Sequence, residues 1–297
     1  MRSLILLVAV LASWSHTADG QTRITRLDAP TVEAGIRQAV QTGDAPRFWV
    51  GYSVTRRMYA DSRFGWWSDG SVQAPLGELL NGSPDVREAA RRALQMQAEE
   101  NTLVDKEIAI LLRFRGSALD GVRLVTLDSP ARLDDERLYW LGLRPDDESL
   151  AWLLERWEGT SDADLREELT AAVGVHDAHQ RTVPFLLAAA REDGNEDVRD
   201  AARYWAAYGL VSALGLQREV RRSDEEDQRR VKRSAIYALV NAREEQAVAL
   251  LSDLVRNNGD PDVRREALLQ LAHLDDGVGL PALAVLARSV NLDSYRR

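Results

Sequence analysis

"NGDPDVRREALLQLA", residues 258–272, reads as a helix with its start signal attached, and whether it stands alone or is one copy of a unit decides the fold. Asp260 sits where a side-chain oxygen caps a helix, and Asp262 precedes an apolar residue followed by a base, Val263–Arg264. The same pattern recurs at Leu165, Val198 and Val231, so with Val263 the spacings are 33, 33 and 32 residues. Four residues on stand Leu169, Ala202, Ala235 and Ala267, and eight on Val173, Ala206, Leu239 and Leu271; these positions share one helical face. A base follows each first residue: Arg166, Arg199, Lys232 and Arg264. Asn195 is a second capping residue.

Each copy runs on into a second apolar segment: "TVPFLLAAAR" from Thr182, "ALGLQREVRR" from Ala213, "QAVALLSDLVR" from Gln246 and "GLPALAVLAR" from Gly279. Pro184 and Pro281 fall in its first turn, where a missing N–H costs little. "ESLAWLLERW" (148–157) supplies a leading half-unit. The unit is a helical hairpin, and a hairpin buries its apolar face only against neighbours.

"DPDVRREALLQLAHLDD" and "NEDVRDAARYWAAYG" resemble the short bacterial HEAT-like repeats also found in phycobilisome lyases, over Glu148 to about Asn291. Tetratricopeptide and ankyrin repeats share the period but not the signature residues. The resemblance implies a curved right-handed superhelix with an extended binding surface, and no chemistry. The expected fold class is mostly α: a HEAT-like α-solenoid preceded by a small α+β domain.

Before Pro145 the texture changes. "RFWVGYSV" (47–54), "EIAILLRFR" (107–115), "GVRLVTLD" (121–128) and "LYWLGL" (138–143) read as strands, the middle two joined as a hairpin through "GSALDG". "APTVEAGIRQAVQTG", capped by Thr31, and "GSPDVREAARRALQMQAEE", capped by Ser83, read as helices. This arrangement resembles secreted bacterial HEAT-repeat proteins of unassigned function. Those often carry cysteines in the loop after the first strand; this chain has none, so no cysteine-dependent role carries over.

The first twenty residues read as a secretory signal peptide. Arg2 precedes the nine apolar residues "LILLVAVLA" (4–12), too few for the roughly 20 of a membrane span. A small-x-small cleavage site fits at Ala18–Gly20, leaving Gln21 first, with Ser13–Ser15 as a second candidate. The expected organisation is therefore signal peptide 1–20, mixed domain 21–145 and helical repeats 146–297, in a periplasmic or secreted protein. Without cysteine, neither a lipid anchor at the signal peptide nor disulfides are available, and the fold must hold by packing. The net charge of -9 repels phosphate backbones, so nucleic acid is not an expected partner.

Seven of the chain's nineteen aromatics lie within residues 48–67, interleaved with arginines. Phe48, Trp49 and Tyr52 belong to the strand. In the loop read after it, Tyr59, Phe64, Trp66 and Trp67 with Arg56, Arg57 and Arg63 form one candidate binding surface, and the alternative is that Trp66 and Trp67 plug the seam between the two parts. The second candidate surface is the inner wall of the second helices, with Gln217, Glu219, Asp253 and Arg256.

No catalytic constellation is evident. His176 and His179 make an H-x-x-H pair without further ligands and read as solvated loop residues, and His273 as a helix C-terminal residue. Ser53 in "GYSVT" misses the G-x-S-x-G elbow. The run "REVRRSDEEDQRRVKR" (218–233) neutralises itself on a solvated loop. The expected function is a scaffold or adaptor that binds another protein or peptide, with no cofactor and no metal. The alternative is a chromophore-lyase-like or hydrolytic enzyme, to be distinguished by His, Tyr and acidic residues converging on one concave wall.

Overall fold

The computed structural model describes residues 24–42, 45–60, 62–65, 75–81, 103–131, 136–214, 216, 236, 247–274 and 277–294. The signal segment, the helix read over 82–100, most of the repeat copy at Val231, Trp66, Trp67, Gln217 and Glu219 lie outside them. In chain order the described elements are β1 (Ile24–Arg26), α1 (Val32–Thr42), β2 (Arg47–Tyr59), α2 (Leu76–Leu80), β3 (Leu103–Arg115), β4 (Ala118–Thr126), β5 (Arg137–Leu143), α3 (Asp146–Gly159), α4 (Ala163–Gly174), α5 (His179–Glu192), α6 (Glu196–Ala213), α7 (Ala247–Asn257), α8 (Pro261–His273) and α9 (Leu280–Ser294).

The strands form one mixed sheet in the order β1-β5-β2-β3-β4. β2 pairs antiparallel with β3 along its whole length, Arg47 opposite Arg115 and Tyr59 opposite Leu103. β5 returns parallel to the other side of β2, and β1 adds parallel to β5. β2 runs to Tyr59, five residues past the predicted end at Val54, because its period-2 alternation persists: Phe48, Val50, Tyr52, Val54, Arg56 and Met58 are all buried on one face. The predicted hairpin is β3–β4, turned at Gly116, whose φ of 61° is one that L side chains rarely adopt.

Both faces of this sheet are covered. Trp49, Ala109, Leu111, Leu138 and Trp140 form a smaller core with Leu76 and Leu80 of α2. The opposite face joins a single apolar cluster that runs from Val32 and Ile36 of α1 through Leu150 and Leu153 of α3 to Leu286 and Ala287 of α9.

That shared core corrects the expected fold class. With five strands in a mixed sheet and nine helices among the described residues, the chain is an α+β fold and not a mostly helical HEAT-like solenoid. Two packing facts account for the difference. α1, α3 and α4 lie on the sheet, so part of the helical apolar surface serves the strands and not a neighbouring repeat. The last hairpin also packs α8 onto α6 and α9 onto both α5 and α6, contacts that a stack pairing only consecutive copies would not make.

Within each helix the periodic positions do point inward. Leu165, Leu169, Val173, Val198, Ala202, Ala206, Ala267 and Leu271 are buried, and Val263 is half-buried. Asp162, Asn195 and Asp260 cap α4, α6 and α8 through side-chain oxygens. In the described copies the base after the first position ties helices together. Arg199 Nη1 donates to the carbonyl of Asp193 at 2.9 Å and Arg264 Nε to that of Val255 at 2.8 Å, both at helix C-terminal ends, while Arg166 pairs with Asp193 at 2.6 Å. A local rule, acid before and base after an apolar start, therefore serves capping at both ends of the hairpin and does not by itself dictate a solenoid.

Candidate functional site

Arg56 stands in the row of inward-pointing β2 side chains and is fully buried under the helices. Its Nη1 donates to the carbonyl of Gly174, the last residue of α4, at 2.7 Å, so a cation meets the negative end of a helix. The guanidinium lies 4.7 Å from the ring centre of Tyr208 and 5.9 Å from that of Trp205, both on α6. Its Nε is 3.8 Å from Asp177 Oδ1. Burial lowers its pKa, opposed by Tyr208 and Asp177.

The loop between α4 and α5 closes over this arginine. Asp177 Oδ2 accepts the backbone N–H of Arg57 at 2.8 Å, and His179 Nε2 lies 3.8 Å from Asp177 Oδ1. Burial lowers the pKa of His179. Asp146, at the start of α3, has its pKa raised by burial and then by the nearby Asp177.

His176 corrects the expectation of a solvated loop histidine: it is 1% exposed. The apolar run Ala172 to Val175 carries it under the sheet, and hydrogen bonds complete its burial. A neutral ring that donates from Nδ1 to the Val173 carbonyl at 3.2 Å leaves Nε2 to accept from the Ser149 hydroxyl at 2.9 Å. Ser149 Oγ then accepts from Tyr52 at 2.9 Å. Burial pushes His176 down to about 4 and Tyr52 up. Ser149 and His176 are hydrogen-bonded but sealed from solvent, so they brace β2 against α3 and α4 and offer no nucleophile.

Two depressions flank this hub. A cavity of about 450 Å³ lies at the start of α5, with Asp177 and His179 at its head and Val183, Leu210, Ala213 and Ala287 among its walls. A groove of about 850 Å³ runs between α4, α6 and the end of α8. Tyr204 projects there with 44% of its surface exposed, stacked on Tyr208 (centroids 6.1 Å apart) and edge-on to Trp205 (5.4 Å). Glu167, Glu196, Asp197 and Asp200 surround it, with Arg203 held by Asp200 and His273 donating from Nδ1 to its own helix at Leu269. Tyr204's pKa is raised, by burial first and then by Tyr208.

The predicted aromatic surface is divided by this packing. Arg56 is internal. Phe64 is half-buried with its ring centre 5.8 Å from that of Trp205, and Arg63 faces Asp128 at 3.6 Å. Tyr59 is half-buried, and Arg57 is exposed, 3.4 Å from Asp105. Trp66 and Trp67 lie outside the described residues. On the second surface Asp253 and Arg256 are exposed on α7, Asp253 accepting from Asn257, and neither lines the groove or the cavity. Tyr204, Trp205 and Asp177 were not singled out by sequence. For the two aromatics the signal was the Tyr-Trp-x-x-Tyr spacing on α6, which brings Tyr208 beside both; Asp177 had no such signal.

No protein family matches the chain, and no curated protein or solved structure matches it. The likeness of its D-x-V-R helices to bacterial HEAT-like repeats therefore rests on those residues alone.

Proposed function

We propose that this chain is an exported binding protein that holds a basic, extended segment of a partner polypeptide in the Tyr204 groove. The carrying observation is the exposed Tyr204 ring among Glu167, Glu196 and Asp197, with Asp200 paired to Arg203. An aromatic face with surrounding carboxylates suits a lysine or arginine side chain, through cation–π contact and charge. Aromatic residues at a site centre commonly supply most of the binding energy. The overall charge of -9 likewise favours a basic partner and disfavours nucleic acid.

His273, Tyr204 and acidic residues do share this wall, the feature that would favour an enzyme. Among the described residues, though, His273 bonds its own helix and Asp200 holds Arg203, so no acid–base pair is assembled. Recognition is the reading this geometry supports. The test is a titration of fluorescent lysine- and arginine-containing peptides against the full chain. Binding should weaken with salt and fall on Tyr204→Ala or Asp197→Asn; salt-independent binding, or none, overturns the reading.

A further inference from the structure

We propose that the cavity at the start of α5, separate from the Tyr204 groove, binds a primary ammonium bearing a short aliphatic side chain. The head of this cavity is a fixed carboxylate. Asp177 is held by the Arg57 N–H on Oδ2 at 2.8 Å and by Arg56, whose Nε lies 3.8 Å from Oδ1, while about a third of its side chain (32%) stays exposed. A carboxylate oriented before the ligand arrives loses little freedom on binding it.

The charges around this head are unequal. Asp146, Asp147 and Asp177 face two guanidiniums, Arg56 and Arg181, the latter paired with Asp147 at 2.6 Å on the exposed rim. His179 adds no positive charge near neutral pH, because burial favours its uncharged ring. One negative charge is left over, and a cation balances it. Apart from Gln180, the remaining walls are apolar, Val183, Pro184, Leu210, Ala213 and Ala287 among them, and about 450 Å³ is the size of a small-molecule site. A ligand that fits has an ammonium at one end and a compact apolar body.

That chemistry occurs in a free aliphatic amino acid and at the N-terminus of a polypeptide. L-Leucinamide, L-leucine and N-acetyl-L-leucinamide separate the possibilities in calorimetric titrations of the full chain at pH 7. Leucinamide should bind, and acetylation, which removes the ammonium, should weaken binding by roughly tenfold or more, the factor of a charge-assisted hydrogen bond. Leucine bound as well as leucinamide assigns the free amino acid; preference for leucinamide assigns a peptide N-terminus. Ala213→Phe fills the apolar end without touching Asp177, and should abolish binding while the melting temperature holds. Equal binding of the acetylated compound, no binding of leucinamide at millimolar concentration, or unchanged affinity in Ala213→Phe overturns the proposal. None of these outcomes bears on peptide binding in the Tyr204 groove.

Discussion

Arg56 Nη1 donates to the Gly174 carbonyl at 2.7 Å, joining the central strand to the end of α4 across 118 residues of chain. Among the described residues the contact is the only side-chain hydrogen bond that Arg56 makes, its Nε and Nη2 being buried without acceptors there. A buried cation kept on one hydrogen bond, two aromatic faces and a distant carboxylate works as a tie between layers. Arg56→Met should keep the bulk but strip α4 of this partner and leave Asp177 uncompensated. The expected loss is about 2–3 kcal/mol in urea unfolding, below the full cost of a broken buried pair because Asp177 retains solvent contact. Arg56→Met with Asp177→Asn should cost less than the sum of the two single changes.

Gly174 carries a second, steric prediction. A Cβ there would lie 2.5–2.6 Å from side-chain atoms of Trp205, which pack directly on the helix. Exchange of glycine for alanine in a helix ordinarily stabilises by about 1 kcal/mol. Here Gly174→Ala should instead destabilise by about 1–3 kcal/mol, with a changed tryptophan near-UV signal, as overpacking displaces the ring. A more stable variant would show that α4 and α6 do not meet at this point.

The Tyr52–Ser149–His176 chain makes stability depend on pH with a definite sign. His176 lies at about 4 in the fold against 6.5 for the free side chain, so the unfolded chain binds the extra proton. Its contribution is complete above about pH 6.5, declines as pH falls through the window and levels off below about 4. The full amplitude is about 3 kcal/mol. Asp146, raised in the fold, acts in the opposite sense, so the measurement is the difference between wild type and His176→Gln. That difference should shrink as pH falls from 7 towards about 4; a constant difference would remove the buried neutral histidine.

Local patterns were legible in the sequence and global packing was not. The caps at Thr31, Asn195 and Asp260, and the inward positions of α4 and α6, follow from short-range stereochemistry. A 33-residue period, however, reports that helices alternate in face, not which neighbour each face meets. The sheet took part of that surface, and α9 returned to α5. His176 and Arg56 were misplaced for a related reason. A polar residue reads as solvated unless its partners are known, and theirs lie up to 118 residues away. The one available clue was that Arg56 continues the alternation from Phe48 to Val54, which places it on the buried face.

Phe64 and Tyr204 should respond to truncation in opposite ways. Phe64 is half-buried against Trp205, and the following Gly65, at φ 76°, turns the chain so that the ring meets α6. Phe64→Ala should therefore cost about 2 kcal/mol, roughly half the value for a fully buried phenylalanine, and leave basic-peptide affinity within about twofold. Tyr204, with 44% of its surface in solvent, has a face free for a ligand. Tyr204→Ala should shift stability by about 1 kcal/mol or less while weakening the peptide by tenfold or more, the range of a central aromatic contact. Urea unfolding and peptide titration on the same two preparations decide the matter. If Phe64→Ala loses the peptide and keeps its stability, the binding surface belongs to the segment after β2 and not to the groove on α6.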